Sequence, residues 1–184
     1  MTLSLIAAIS RDLLIGTKDG LPWRLPADLR RFRKITLGKP VIVGRRTIEI
    51  IGNPLEGRHN VILSRKETLN CWAGCDIAHS MQAAFDLARD AAQRMGANEV
   101  MVIGGSTVYR EAISACDRIY LTIVDGVFSG DAYFPSELPG GSWQKVLDEV
   151  YPKDSRNPHS HRYIVLERGN SPSMKRRSLR SLSV

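Results

Sequence analysis

Two short runs constrain the fold of this chain more than anything else in it: Pro40-Val41-Ile42-Val43-Gly44 and Glu99-Val100-Met101-Val102-Ile103-Gly104. Neither alternates polar with apolar residues, so neither suits a strand with one wet face. Both read as central strands covered on two sides, the pattern of a parallel sheet whose crossovers are helices. The rest of the chain supplies the alternation that such a sheet needs. Strand-like runs fall at 3–10, 40–44, 60–64, 76–78, 99–104, 118–124, 146–151 and 161–167, and helical ones at 27–37, 47–51, 81–95 and 107–112. Right-handed crossovers then give an α/β fold with a mainly parallel sheet. No helix separates the last two strands, so they are expected to end the sheet as an antiparallel pair.

With 184 residues and a hydrophobic fraction of 43%, the chain fits one domain with a substantial core. The apolar run 3–9 lacks a basic lead-in and a cleavage-like site and is followed at once by Arg11-Asp12, so it reads as a first strand and not a signal peptide. No run approaches the roughly 20 apolar residues of a membrane span. A cytoplasmic protein with no membrane partner is expected.

The candidate chemistry begins at Leu21-Pro22-Trp23-Arg24-Leu25-Pro26-Ala27-Asp28-Leu29-Arg30-Arg31-Phe32. Pro26 suits the first turn of a helix, where its missing N–H is no loss. Leu25, Leu29 and Phe32 recur at helical spacing and share a face. Asp28 borders that face, while Arg30, Arg31, Arg33 and Lys34 are expected mostly on the solvated side. An acid in a first turn usually serves only the helix dipole. Here the ordered Pro-Trp-x-Leu-Pro lead-in and the apolar neighbours also suit a carboxyl that meets a cationic or amidine-like group in a dry pocket.

Two strand-to-helix turns offer anion sites. Gly44-Arg45-Arg46-Thr47 follows one central run, and Gly104-Gly105-Ser106-Thr107 follows the other. Backbone N–H groups at such turns can hold phosphates, and glycine allows close approach. Each alone is more often a plain turn. Cys71, Cys75 and His79 are spaced by four, but no fourth ligand is evident, so zinc is not expected and the three cysteines, Cys116 included, read as cytosolic thiols. The segment 13–20, with two glycines, reads as a mobile surface loop.

Taken together, Leu5-Ile6-Ala7-Ala8, Ile15-Gly16, Leu21-Pro22-Trp23, Leu25-Pro26-Ala27-Asp28-Leu29, Lys39-Pro40-Val41-Ile42-Val43-Gly44-Arg45, Pro54-Leu55-x-Gly57-Arg58, Val102-Ile103-Gly104-Gly105 and Asp131-x-x-Phe134-Pro135 resemble dihydrofolate reductases of the bacterial single-domain type, in order and up to about Arg168. The resemblance implies an eight-stranded sheet flanked by four helices, and reduction of 7,8-dihydrofolate to tetrahydrofolate by NADPH, with no metal. It implies that the loop at 13–20 is a lid, with Ile15, Gly16 and Leu21 against the nicotinamide and Trp23 reaching the substrate through water. Ile6 and Ile103 would sandwich the pterin, Thr122 would bond Asp28, and Leu29, Phe32, Ile51 and Leu55 would line the benzoyl groove. Arg58 would take the α-carboxylate of the glutamate in a fork-to-fork pair. Ala8, Tyr109 and the two turns from Gly44 to Thr47 and Gly104 to Thr107, with a cis peptide between the glycines, would hold the cofactor. Ser64 and Arg65, with Arg45, would face the adenosine ribose and select the 2′-phosphate. Arg65 departs from the small hydroxyl residue that family members more often carry.

Two rivals are weighed against this. Another NADPH reductase of the riboflavin pathway fits poorly with Asp28 and Arg58, because its substrate has no glutamate tail. A nucleic-acid binder would use the face from Arg30 to Lys34 and the basic tail 170–184, whose Lys175, Arg176, Arg177 and Arg180 supply four of the seven net positive charges. That tail reads as a disordered arm outside a domain of residues 1–169. A monomer acting on a small molecule, without nucleic acid, is the expected state, and loss of the tail is expected to change little.

Overall fold

In the computed structural model, which describes residues 1–66, 74–140, 142–169 and 177–179, the two unalternating runs lie side by side inside one large sheet. In chain order the elements are β1 (Thr2–Ser10), β2 (Leu14–Gly16), α1 (Pro26–Thr36), β3 (Pro40–Gly44), α2 (Arg45–Ile51), β4 (His59–Leu63), β5 (Cys75–Ala78), α3 (Met81–Met95), β6 (Glu99–Val102), α4 (Ser106–Ala112), β7 (Arg118–Val124), β8 (Ala132–Tyr133), β9 (Glu137–Leu138), β10 (Ser142–Tyr151), β11 (His161–Gly169) and β12 (Arg177–Ser178). Eight strands form the main sheet in the order β10-β11-β7-β1-β6-β3-β4-β5. Only β11 runs against its neighbours, antiparallel to both β7 and β10. The expected mainly parallel sheet with an antiparallel C-terminal strand is therefore present, with four helices.

Alternate residues of each inner strand feed two cores. Leu5, Ala7, Ile9, Ile42 and Val61 face the layer of α3, where Ala84, Ala88 and Ala92 are fully buried and let the helix lie close to the sheet. Ile6, Val41, Val43, Ile62 and Met101 face the other layer, against Phe32 and Ile35 of α1 and Ile48 of α2. This is why β3 and β6 carry apolar residues at successive positions.

Local chemistry sets the helix ends. Ser80 accepts a hydrogen bond from Ala83 N at 3.1 Å to start α3, and Gly96 ends it in the left-handed region at φ 66°. Pro26 occupies the first turn of α1, Asp28 follows in that turn, and Arg33 and Lys34 fill the last. The helices α2 and α4 begin directly at the strand-to-helix turns, slightly earlier than expected from sequence.

Three expectations are corrected. Strand β10 starts at Ser142, because a bulge between Lys145 and Leu147 interrupts the alternation that would reveal its first half. The 13–20 segment is more than a loop: β2 pairs antiparallel with β8, and Thr17 and Gly20 bridge each other through Thr17 N to Gly20 O at 2.8 Å. Three residues are too few to show a strand period. The tail also departs from an arm without contact, since β12 pairs with β9, Leu179 N donates to Ser136 O at 3.0 Å, and the Leu179 side chain is buried. A lone leucine between basic and serine residues gave no periodic signal. The other tail residues, and Cys71 with its neighbours, lie outside the described residues. Among the described residues no helix is long and apolar enough to cross a membrane.

Leu179 joins the same buried cluster as Phe134, Leu138 and Trp143. Leu179→Ala is therefore expected to lower the unfolding free energy by about 2–4 kcal/mol, the range for a truncated core leucine. Urea unfolding at equilibrium measures it, and an unchanged midpoint would mean that the docked segment adds nothing.

Candidate functional site

The carboxyl ends of β1, β3, β4 and β6 open on a cleft of about 1790 Å³, walled by α1 on one side and by the starts of α2 and α4 on the other. Ligand sites in open α/β sheets lie at such ends, where the strand order reverses. Here the chain passes from β1 outward to β5 and returns to place β6 between β1 and β3.

The deepest part is built on Asp28. The first turn of α1 carries it over Thr122, which is buried behind the cleft and hydrogen-bonds its carboxyl. Burial pushes the carboxyl above the usual carboxylate range, and the Thr122 hydrogen bond and the charges of Arg31 and His161 pull it partly back. Ile6, Phe32 and Ile103 supply apolar walls. Trp23 is buried edge-on to Phe128 at 4.9 Å, and its indole Nε1 is buried with no hydrogen-bond partner among the described residues. A donor left that way suits a water or a ligand acceptor.

Outward from Asp28, Leu29, Ile51 and Leu55 line an apolar passage, with Leu29 and Ile51 largely exposed, and Arg58 stands at its mouth. Arg58 Nη1 donates to Thr36 Oγ1 at 3.0 Å and Nε to Glu56 O at 3.1 Å, which orients the guanidinium. Burial and then the nearby charge of Arg33 lower its pKa, so a carboxylate would meet two cations there.

The opposite wall holds the two turns. Gly44 N donates to Gly104 O at 2.7 Å, and Ile103 N to Ile42 O at 3.0 Å, so the turns are tied together. The Gly104–Gly105 peptide is cis. Gly104 has φ 104°, and a Cβ there would lie 2.8 Å from the Tyr109 ring; a Cβ on Gly105 would lie 3.0 Å from Thr47 Oγ1. Tyr109 is buried and donates from its hydroxyl to Ile6 O at 2.6 Å. Gly44, Arg45, Arg46, Thr47, Gly105, Ser106, Thr107 and Tyr109 all border the cleft, as do Ala8, Ile15, Gly16 and Leu21 across from them. Ser64 and Arg65 follow β4 at the far end. Of the residues that the resemblance assigns to the site, all but Thr122 and Gly104 border the cleft.

Some features were not read from sequence. Arg45 is engaged by Glu49 through two contacts of 2.6 and 2.8 Å, a pair whose i,i+4 spacing was visible in the sequence. Lys66 and His79 border the cleft beside Arg65, and His79 Nδ1 donates to Ser64 O at 2.9 Å. Their signal was position alone, since each follows the end of a strand. Arg31 departs from the solvated side expected of it: its Nη1 is buried. Among the described residues no group of three metal-ligating side chains converges.

The cleft thus joins two strand-to-helix turns flanked by arginines to an apolar-walled slot floored by the Asp28 carboxyl. Known proteins share this chain's sequence and fold. The family model described as dihydrofolate reductase matches residues 2–168. The dihydrofolate reductase type 3 of Salmonella typhimurium is 44% identical over 168 residues, covering 91% of this chain and 99% of that protein. The dihydrofolate reductase of Bacillus subtilis is 36% identical over 169 residues, 92% of this chain and 96% of that one. Among solved structures, a dihydrofolate reductase from Enterococcus faecalis complexed with NADP(H) and RAB-propyl superposes with a TM-score of 0.79 at 32% identity, over 92% of this chain and 97% of that chain.

A buried carboxyl whose folded pKa is raised favours the fold only while protonated. That contribution fades as pH rises from the unfolded carboxylate range through the raised value. Asp28→Asn is therefore expected to melt at a higher temperature than the parent protein at pH 7, with the gap closing toward about pH 4. Thermal melts of both proteins at the two pH values test this, and an equal or lower melting temperature at pH 7 would contradict it.

Proposed function

The chain belongs to the dihydrofolate reductase family, and from that premise we propose that it reduces 7,8-dihydrofolate to 5,6,7,8-tetrahydrofolate with NADPH, supplying one-carbon units for thymidylate, purine and amino-acid synthesis in the cytoplasm. The observation that carries the reading is the buried Asp28 carboxyl on Thr122, set in an apolar slot across from the tied glycine turns. The chain would do this as a monomer, with the docked segment around Leu179 part of the folded unit.

The fit of the cofactor rests on the turns. Side chains on Gly104 or Gly105 would collide with Tyr109 or Thr47, so the space beside them is kept for a close ligand. Gly44 to Thr47 and Gly105 to Thr107 would hold the diphosphate, and Ser64 and Arg65 the 2′-phosphate. Arg45, whose Nη1 is held by Glu49, would add its remaining guanidinium donors to the second. Ala8, Ile15, Gly16, Leu21 and Tyr109 would frame the nicotinamide, and the short β2–β8 pair would brace the residues that cover it. When bound, the cofactor supplies a hydride to C6 of the substrate imine.

The chain's own residues do the rest. Asp28 pairs with the 2-amino and N3 groups of the pterin and favours the protonated, more electrophilic imine. Ile6 and Ile103 hold the ring flat, and Trp23 Nε1 offers a donor to a water in the slot. A water admitted beside Leu21 protonates N5. Leu29, Phe32, Ile51 and Leu55 take the benzoyl group, and Arg58 takes the α-carboxylate. The direct assay is loss of NADPH absorbance near about 340 nm on adding dihydrofolate, and no loss would refute the proposal.

Two variants separate the parts. Asp28→Asn is expected to slow single-turnover hydride transfer at neutral pH by roughly a hundredfold or more, with NADPH affinity kept and the rate partly restored as pH falls. Wild-type rates in the variant would remove Asp28 from the mechanism. Arg65→Ala is expected to weaken NADPH binding by about 1–3 kcal/mol while sparing NADH. Equal losses for both cofactors, by fluorescence titration, would assign Arg65 another role.

A further inference from the structure

Behind Asp28 the sheet carries an aromatic floor that the reaction scheme above does not use. Two cross-strand pairs build it: Thr122 of β7 opposite Tyr163 of β11, and Tyr151 of β10 opposite His161 of β11. Side chains two apart on a strand share a face, so Thr122, Tyr163 and His161 present one surface to α1. On α1, Asp28 and Arg31 are three residues apart and lie over that surface together. Thr122 takes the Asp28 carboxyl. The Arg31 guanidinium stands over the Tyr163 ring at 4.2 Å and the Tyr151 ring at 4.9 Å, and Tyr151 itself stacks on His161 at 5.0 Å with an interplanar angle of 8°. Arg31 Nη1 and His161 Nε2 are both buried without hydrogen-bond partners among the described residues.

We propose that Arg31 is a positioning residue: caged by Tyr151 and Tyr163, its guanidinium is a fixed counter-charge that keeps Asp28 ionised and sets the pH range of the reaction.

The cage explains how a cation one helical turn from the carboxylate can act on it without consuming it. A guanidinium in a direct fork-to-fork pair would engage both carboxylate oxygens and compete there with the fork of a pterin's own donors. Held by ring faces instead, the charge is felt through space while the oxygens stay available to Thr122 and a ligand. Arginine suits this better than lysine, because its plane stacks and its charge is permanent. The groups that face Asp28 are Arg31 on its own helix, Tyr109 from α4, and His161 and Tyr163 from β11. Glu149 of β10 lies opposite Tyr163, and its carboxylate accepts from the Tyr151 hydroxyl. Of these, Arg31 is the only one with a permanent positive charge; burial and the Arg31 charge both disfavour protonation of His161.

The proposal rests on the reading of Asp28 as the pterin carboxylate, so it is tested on the resting protein as well as in turnover. In full-length protein labelled with 13C at aspartate carboxyls, with the Asp28 signal assigned by its loss in Asp28→Asn, Arg31→Met is expected to move the Asp28 titration midpoint up by about half a pH unit or more. Arg31→Lys should fall between, since it returns the charge but not the stack. In single turnover, carboxyl and imine protons feel the same charge, so the midpoint of the alkaline decline in hydride transfer should also rise in Arg31→Met, with NADPH affinity kept. A merely structural role would lower the rate at every pH without moving either midpoint, and an unmoved Asp28 midpoint overturns the proposal. If Arg31→Met does not fold, Tyr151→Leu loosens the cage and should shift the midpoint the same way by less; no shift there overturns it too. An NMR shift in a protein that never turns over dihydrofolate would leave Arg31 as the charge that sets Asp28 and refute the function instead.

Discussion

The hydrogen bond from Gly44 N to Gly104 O, at 2.7 Å, is the contact on which the site depends most. It joins the end of β3 to the turn after β6, one step beyond the last ladder bond from Ile103 N to Ile42 O. Two helices then start from a common point, and their N-terminal backbone groups face one space. Tyr109 braces the same point by donating to Ile6 O in the middle of β1, so β1 is tied to the ends of β3 and β6. The residues that line the cleft here owe their spacing to two backbone bonds and one buried tyrosine hydroxyl.

Against that fixed wall stands a group that is costly to the fold. Asp28 is taken out of water and only partly compensated. Its two main compensations come from different elements of the chain: a hydroxyl from β7 and the charge of Arg31 from α1. Glu99 shows the contrasting solution for a buried acid. Lys39, Tyr120 and Ser4 all hydrogen-bond it, and those bonds outweigh its burial and hold its pKa low. An acid that serves structure is saturated with donors, and one that meets a ligand is left with capacity to spare.

The layout of the sheet was legible because burial on both faces writes itself into consecutive residues, as in β3 and β6, and α3 was legible to the residue because Ser80 and Gly96 mark its ends. Asp28, Trp23, the two glycine turns and Arg58 were legible as candidates because each combines an unusual residue type with a turn or helix start. Arg31 was not. On a helix with Arg30, Arg33 and Lys34 it looks like one more solvated charge, and only β10 and β11, more than a hundred residues later, supply the rings that draw it inward. Leu179 and the β2–β8 pair were illegible for a related reason, since two- and three-residue strands have no period to detect and take their conformation from partners distant in sequence.

The edge of the sheet bears on how this protein behaves beside its own copies. Strand β10 is ten residues long and leaves Val146, Leu147 and Val150 exposed, a profile that invites a second molecule to add a strand. The bulge between Lys145 and Leu147 breaks the regular row of unpaired amides, and Asp148, bonded to Arg162 at 2.6 Å and paired with Lys145, places charge beside the gap. Straightening that edge would remove no contact from the cleft, yet it would open a long regular row of backbone donors and acceptors to strand addition by another copy.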